Sequence, residues 1–485
     1  MAISEETFFL DPAFEGTLQQ QIQSLVAEGI LSGRFLPGER LPSSRGLAKH
    51  LGISRITVTL AYNELVADDY VNSRGRSGYY VSENAPLPRP VQSHNRDFGD
   101  AVDWSRMIGN RFTGLAEIEK PANWRTYRFP FIYGQADAAL FDHANWRLCA
   151  LQALGQRDFH AMTKDYYERD DPKLVEFIMR HSLPRRGISA GPDEILVTLG
   201  AQNALWLAAQ VLLTQRRTAV TESPCYHGLK NILSQTRCST VCIDIDSEGL
   251  PAEKIPDETD VVFVTPSHHC PTSVTMPSER RKALLSKASE KNFLVVEDDY
   301  EFEMSTLSPP QPALKSIDSE GRVIHVGSFS KSLFPGLRLG YLVGSEEFIR
   351  EARALRATVL RHPPGHIQRT AAYFMSLGHY DALIRRTSQA FAKRRSVMAE
   401  QIEKYQLEIA GAATGGSSFW MRAPDHIDTD KLSIRLRENG VLIECGTPFF
   451  PVENPPRNYY RLAYSSIDEG RIGEGISTIA RVLGQ

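Results

Sequence analysis

From Val323 to Tyr341 the sequence reads Val-Ile-His-Val-Gly-Ser-Phe-Ser-Lys-Ser-Leu-Phe-Pro-Gly-Leu-Arg-Leu-Gly-Tyr. A β-branched apolar run leads into small hydroxyl residues, a lysine at 331, a Pro-Gly turn and an arginine at 338. A lysine amine so placed can form a Schiff base, and hydroxyls beside a guanidinium can hold a phosphate. Pyridoxal 5′-phosphate calls for both at once, a covalent anchor and a dianion cradle. A buried strand followed by an exposed loop lysine would give the same local pattern, so the rest of the chain has to decide.

Further residues of the same kind stand upstream and downstream. Thr198-Leu-Gly-Ala201-Gln202 closes a strand and opens a helix, which leaves free backbone amides suited to an anion. Tyr226 follows another strand at a place where its ring could stack on a pyridine. Glu297-Asp298-Asp299-Tyr300 ends an apolar strand with acids. A buried carboxylate calls for a cation, and a protonated pyridine nitrogen would supply it. Arg461, on a late strand, suits a bidentate contact with an anionic group.

The elements that must position these residues alternate in type. Ile195–Thr198, Ala219–Val220, Val261–Thr265, Phe293–Asp298, Val323–Val326 and Leu339–Val343 read as short apolar strands. Helical runs such as Gln202–Leu213 and Arg280–Lys287 lie between them. That pattern predicts an α/β fold with a mostly parallel sheet buried on both faces. The chemical residues fall at the carboxyl ends of its strands, where such sheets bind ligands.

The 485-residue chain is long enough for two or three domains, and its net charge of −3 gives no global signal for nucleic acid. Six scattered cysteines without a CxxC pair read as reduced thiols. The acidic N-terminus is unlike a signal peptide, and no apolar run reaches the roughly 18 residues of a membrane span. A cytoplasmic protein with no membrane association is expected. The adjacent His268 and His269 would point to opposite faces of a strand, so no metal site is expected.

Residues 1–82 have a different design. Helical spacing over Thr17–Leu31 is followed by Pro42-Ser43-Ser44, which caps a helix over Arg45–Leu51. A turn at Gly52-Ile53-Ser54 then starts a third helix at Arg55. Two short strands, Tyr70–Ser73 and Gly78–Val81, meet across a basic tip with Arg74 and Arg76. This is a helix-turn-helix with a wing. The start of its third helix, with Arg55, Thr57 and Thr59, can enter a major groove, while Ser54 and the wing arginines hold phosphates.

The strings Pro37-Gly-Glu-Arg-Leu-Pro-Ser-Ser-Arg45-Gly-Leu-Ala and Ser54-Arg-Ile-Thr-Val, with the Gly-rich wing after them, resemble the GntR-type winged helix. The resemblance implies binding of double-stranded operator DNA through Ser43, Ser44, Arg45, Ser54, Arg55, Thr57, Thr59, Arg74 and Arg76. Residues 83–121, opening with prolines at alternate positions, read as a linker. Residues 122–485, in the order of their motifs, resemble a fold-type I (class I/II) aminotransferase with a smaller C-terminal lobe. That resemblance implies that Lys331 forms the internal aldimine, Asp298 pairs with the pyridine nitrogen and Tyr300 bonds the 3′-oxygen. It also implies that Tyr226 stacks on the ring, that Ala201, Gln202, Ser328, Ser330 and Arg338 hold the phosphate, and that Arg461 takes a carboxylate or sulfonate.

One segment departs from the family. Where aminotransferases carry Asn-Pro-x-Asn-Pro-Thr-Gly, this chain has Thr265-Pro-Ser-His-His269-Cys-Pro-Thr-Ser273. His269 is expected to stand in for the asparagine and donate to the 3′-oxygen, with transamination at most residual. Over its whole length the chain resembles the MocR/GabR-type transcription regulators. The resemblance implies a homodimer that senses an amine-bearing effector by aldimine exchange at Lys331, for example a ω-amino acid, taurine or an ectoine-derived diamino acid. A sensor of pyridoxal phosphate itself, governing vitamin B6 metabolism, and a working aminotransferase are the alternatives.

Overall fold

A computed structural model of the chain describes residues 2–86, 102–113, 118–135, 137–165, 167–301, 311–412 and 415–484. Its internal contacts divide it into two compact units, Met1–Phe112 and Thr113–Gln485.

In the first unit, α1 (Leu18–Leu31) starts from a reciprocal cap between Thr17 and Gln20. α2 (Ser44–Leu51) is capped by the Ser43 hydroxyl, which accepts from Gly46 N at 3.0 Å. Gly52, at φ 68°, then turns the chain through the left-handed region into α3 (Arg55–Ala67). Ile22, Val26, Leu47, Val58, Ala61 and Tyr62 close the core between these helices, and the Tyr62 hydroxyl donates to Pro42 O at 3.1 Å. β1 (Val71–Ser73) and β2 (Tyr79–Val81) pair antiparallel and form the wing. A short helix, Trp104–Met107, is capped by Asp103. The proline-rich part of the predicted linker beyond Pro86 lies outside the described residues.

The second unit opens on β3 (Phe129–Pro130). Its main sheet holds β4 (Ile195–Thr198), β5 (Thr218–Ser223), β6 (Ser239–Asp244), β7 (Val261–Val264), β8 (Leu294–Asp299), β9 (Val323–Ser328) and β10 (Gly340–Val343). The spatial order is β4-β10-β9-β8-β7-β5-β6. Neighbours are parallel except at β10, which runs antiparallel to both β4 and β9. The mostly parallel sheet is therefore as expected, with one reversed strand. β4, β7, β9 and β10 are buried along their whole length, as a sheet covered by helices on both faces requires. The edge strand β6 is half exposed and polar, and hydrophobic pattern alone did not reveal it.

The C-terminal lobe carries a second sheet. β11 (Glu408–Ile409), β12 (Ser418–Arg422), β14 (Glu444–Cys445) and β15 (Tyr459–Ala463) form it antiparallel in the order β11-β12-β15-β14. β13 (Val441–Leu442) pairs with β3 instead, which ties the start of the unit to this lobe. Among the described residues no helix is long and apolar enough to cross a membrane.

Candidate functional site

The carboxyl ends of β4, β5, β8 and β9 meet at one edge of the main sheet and border a cavity of about 270 Å³. Ala201, Gln202, Tyr226, Asp298, Tyr300, Ser328, Ser330, Lys331, Arg338 and Arg461 all line it. Residues spread over 260 positions of sequence are thus brought together by strand order.

Lys331 lies on the loop after β9, held in place by its buried neighbours Phe329 and Leu333. Its Nζ stands 4.1 Å from the centroid of the Tyr133 ring. A Cβ at Gly134, whose φ is 68°, would lie 2.1 Å from that Nζ, so only glycine lets the lysine into this position. Burial pulls the Lys331 amine down to about 8, against the opposing pull of Glu301.

The acids at the end of β8 divide by strand alternation. Glu297 accepts from Leu314 N (2.6 Å), Lys315 N (3.1 Å) and His325 Nδ1 (3.1 Å) inside the sheet. Asp299, on the same face as Glu297, pairs with Arg186 at 2.6 Å. Asp298 faces the cavity, and its buried Oδ1 has no hydrogen-bond partner among the described residues. Burial, and next the charge of Asp299, push its carboxyl up to about 7.

That shift has a direct consequence for the cofactor-free protein. Below the ordinary aspartate range both folded and unfolded chains are protonated at Asp298. As pH rises from about 4 to about 7 the unfolded chain ionises first, so stability falls, by about 4 kcal/mol for a shift of this size. Asp298→Asn cannot ionise. In urea unfolding of the cofactor-free protein it should match the wild type near pH 4 and exceed it above pH 7; parallel pH profiles would refute the assignment.

At the opposite corner, the helix Ala201–Leu212 starts without a side-chain cap, leaving its first amides unused by side chains. Gly200, at φ 82°, brings Ser330 Oγ and Arg338 Cζ within 3.5 and 3.7 Å of where its Cβ would stand. Free amides, a hydroxyl and a guanidinium make an anion corner. A carboxylate lacking a partner, a buried amine and an anion corner around one cavity fit the three polar parts of pyridoxal phosphate: ring nitrogen, aldehyde and phosphate.

Two features differ from the sequence reading. His269 does not line the cavity. Its Nδ1 bonds Thr272 Oγ1 at 2.7 Å, its Nε2 lies 3.5 Å from Glu222, and burial lowers it to about 3. Cys270, the next residue, lines the cavity in its place. The chain bends and turns over residues 267–270, and this irregular loop brings Cys270 rather than His269 to the cavity. Arg461, by contrast, does face the cavity but is not free. It lies directly across from Glu444 on β14, and its Nε donates to Glu444 Oε2 at 2.7 Å. Its guanidinium is held between Tyr133 and Phe449, with Cζ 4.0 and 4.7 Å from the two ring centroids. Neither Glu444 nor Phe449 carries a local motif, because cross-strand register alone brings them here. Ile118 and Lys120, read as linker in the sequence, also line the cavity.

In the first unit the candidate DNA contacts cluster at the starts of α2 and α3. Arg45 and Arg55 are exposed. Ser43 and Ser54 use their hydroxyls as helix caps, and Thr59 Oγ1 donates to Arg55 O at 2.9 Å. Thr57 and Ser44 are half-buried. On the wing, Arg74 lies 4.8 Å over the Tyr80 ring; the Arg76 side chain lies outside the described ones.

Known proteins match both units. The family model for aminotransferase class I and II matches residues 147–479, more than half of the chain, and that for bacterial regulatory proteins of the gntR family matches 18–81. The HTH-type transcriptional regulator TauR of Rhodobacter capsulatus is 57% identical over 484 residues, covering 100% of both chains. The probable rhizopine catabolism regulatory protein MocR of Rhizobium meliloti is 28% identical over 97% of this chain and 94% of its own. Among solved structures, the kynurenine aminotransferase of Pyrococcus horikoshii aligns with a TM-score of 0.71 at 27% identity, over 79% of this chain and 98% of its own.

Proposed function

The chain belongs to the MocR-type transcriptional regulators, a gntR-family DNA-binding head on an aminotransferase-like body, and on that premise we propose that the body senses a small acidic amine through pyridoxal phosphate held at Lys331. The observation that carries this reading is one cavity shared by the Lys331 amine, the Asp298 carboxylate, whose Oδ1 has no partner among the described residues, and the Gly200–Ser330–Arg338 corner. When bound, the cofactor supplies an aldehyde that condenses reversibly with one primary amine at a time, and a ring that draws electrons.

The chain's own residues set the terms of that exchange. Lys331, lowered to about 8, keeps part of its population unprotonated near neutral pH and so able to act as a nucleophile. Asp298 would hold the ring nitrogen's proton, and Ser328, Ser330, Arg338 and the amides of Ala201 and Gln202 would hold the phosphate. Tyr226 would supply the stacking face and Tyr300 would bond the 3′-oxygen. Arg461, its Nε fixed by Glu444, offers its remaining edge to a carboxylate or sulfonate. Two bodies joined as a homodimer would carry two heads to operator DNA, and effector binding would change how the heads are presented.

Amines bearing a carboxylate or sulfonate, titrated into cofactor-loaded protein, should change the visible absorbance of the bound cofactor. Arg461→Ala should weaken that response about ten- to a hundredfold, the worth of a hydrogen bond to a charged group. An equal response to amines without an acidic group, unaffected by Arg461→Ala, would defeat the assignment.

A further inference from the structure

Behind Lys331 lies a second, smaller cavity of about 30 Å³, and Lys331 lines both. Space of that size holds a water or the end of an ammonium group. Its wall includes Glu301, Ser417, Ser332 and Ser465. The buried hydroxyls of Ser332 and Ser465 have no hydrogen-bond partner among the described residues.

Glu301 stands out among the acids of this region. Glu297, Asp299 and Glu444 each have a cation or imidazole partner, and Asp137 on the rear wall pairs with Arg394. Glu301 is 3% exposed, yet among the described residues its carboxylate has no cationic partner within 4 Å, only the Ser417 hydroxyl at 2.5 Å. A buried carboxylate without a cation is costly. Lys331 is the side chain with the length and freedom to supply one.

Resting on the sensor reading above, we propose that Glu301 is the docking carboxylate for Lys331 once an incoming amine has displaced it, and that Ser417 passes this contact to the C-terminal lobe. In the exchange, the carbon–nitrogen bond to Nζ breaks as the bond to the incoming nitrogen forms. The incoming amine's two hydrogens end on Nζ, which takes a third proton from solvent. The ammonium so made turns into the rear cavity against Glu301.

The link onward is short. Ser417 immediately precedes β12, and Ser417 O accepts from Tyr464 N at 3.1 Å. Gly415 and Gly416, at φ 97° and 62°, form the turn ahead of it. Arg395 donates to Gly415 O at 3.1 Å, and the Tyr464 hydroxyl donates to Gly416 O at 2.5 Å. A new cation on Glu301 competes with the Ser417 hydroxyl for the carboxylate and loosens the turn. The other charged or titratable groups facing Lys331 are Glu444, Arg461, Cys270, Asp298 and Tyr133; those facing Glu301 are His268, Cys270, Tyr133, Tyr300 and Tyr464.

Aminooxyacetate, which condenses with the cofactor aldehyde whatever the natural effector is, provides the test. Two quantities are read in full-length, cofactor-loaded protein: the pKa of Lys331 from its ¹³Cε resonance, and hydrogen exchange of residues 415–422. In the wild type, displacement should give a Lys331 with proton affinity about tenfold above that in Glu301→Gln, together with faster exchange of the segment. Glu301→Gln should still lose the cofactor's visible band but show neither effect. Ser417→Ala, which keeps the carboxylate, should retain the high proton affinity and lose the change in exchange. Equal Lys331 proton affinity in wild type and Glu301→Gln overturns the docking role, and an unchanged exchange response in Ser417→Ala overturns the link. If aminooxyacetate leaves the wild-type band unchanged, the sensor reading itself fails.

Discussion

Lys331→Ala protein should fold, keep its affinity for operator DNA in the absence of effector, and lose every covalent attachment of pyridoxal phosphate. The wild type, treated with borohydride, should retain the cofactor through denaturation; the variant should release all of it. The loss is expected to be complete because Lys331 lines the cavity together with Asp298 and with Ser330 and Arg338 of the anion corner. Lys120, the other lysine on the cavity wall, lies on a different segment ahead of β3. The fold should survive because Lys331 is a half-buried cavity-lining side chain, whereas its neighbours Phe329 and Leu333 fill the core. Cofactor fixed by borohydride in the variant would show that another amine is the anchor.

Arg55→Ala should reduce operator affinity severely. Arg55 is the first residue of α3 and is exposed, as is Arg45 in the first turn of α2. A side chain at that end of a recognition helix reads a guanine edge or holds a phosphate. Loss of a bidentate guanine contact is worth about 1–3 kcal/mol for each half-site, so the proposed homodimer, reading two half-sites, should lose about thirtyfold or more. The head should stay folded, since the buried Val58, Ala61 and Tyr62 of α3 are untouched. Mobility-shift titration at fixed salt would measure this. Affinity within twofold of the wild type would remove α3 from the DNA interface.

These assignments were legible in the sequence to different degrees, for physical reasons. Lys331, Gly200 and Arg338 sit in local strings where a strand ends and a turn or helix begins, and such junctions write themselves in hydrophobic pattern, glycine and proline. The winged helix was equally open because its caps, Thr17, Ser43 and Ser54, are local chemistry. What escaped was long-range. The reversal of β10 shows only in its antiparallel pairing with both β4 and β9, although its composition resembles that of the sheet's parallel strands. Glu444 meets Arg461 only through the register of β14 on β15. His269 was placed inward because one residue of phase in an irregular loop decides which side chain reaches the cavity, and Cys270 holds that phase. In the run Glu297-Asp298-Asp299 alternation gave the same answer that chemistry had suggested, with Asp298 toward the cavity.

Under the proposed function, amine exchange in the body changes how the heads hold DNA. DNase footprinting on an operator selected from random duplexes tests it most directly, with cofactor-loaded protein before and after each amine that alters the visible band. The footprint should change in extent or pattern with those amines in the wild type and stay constant in Lys331→Ala. An identical wild-type footprint in the presence of every amine that alters the band would contradict it.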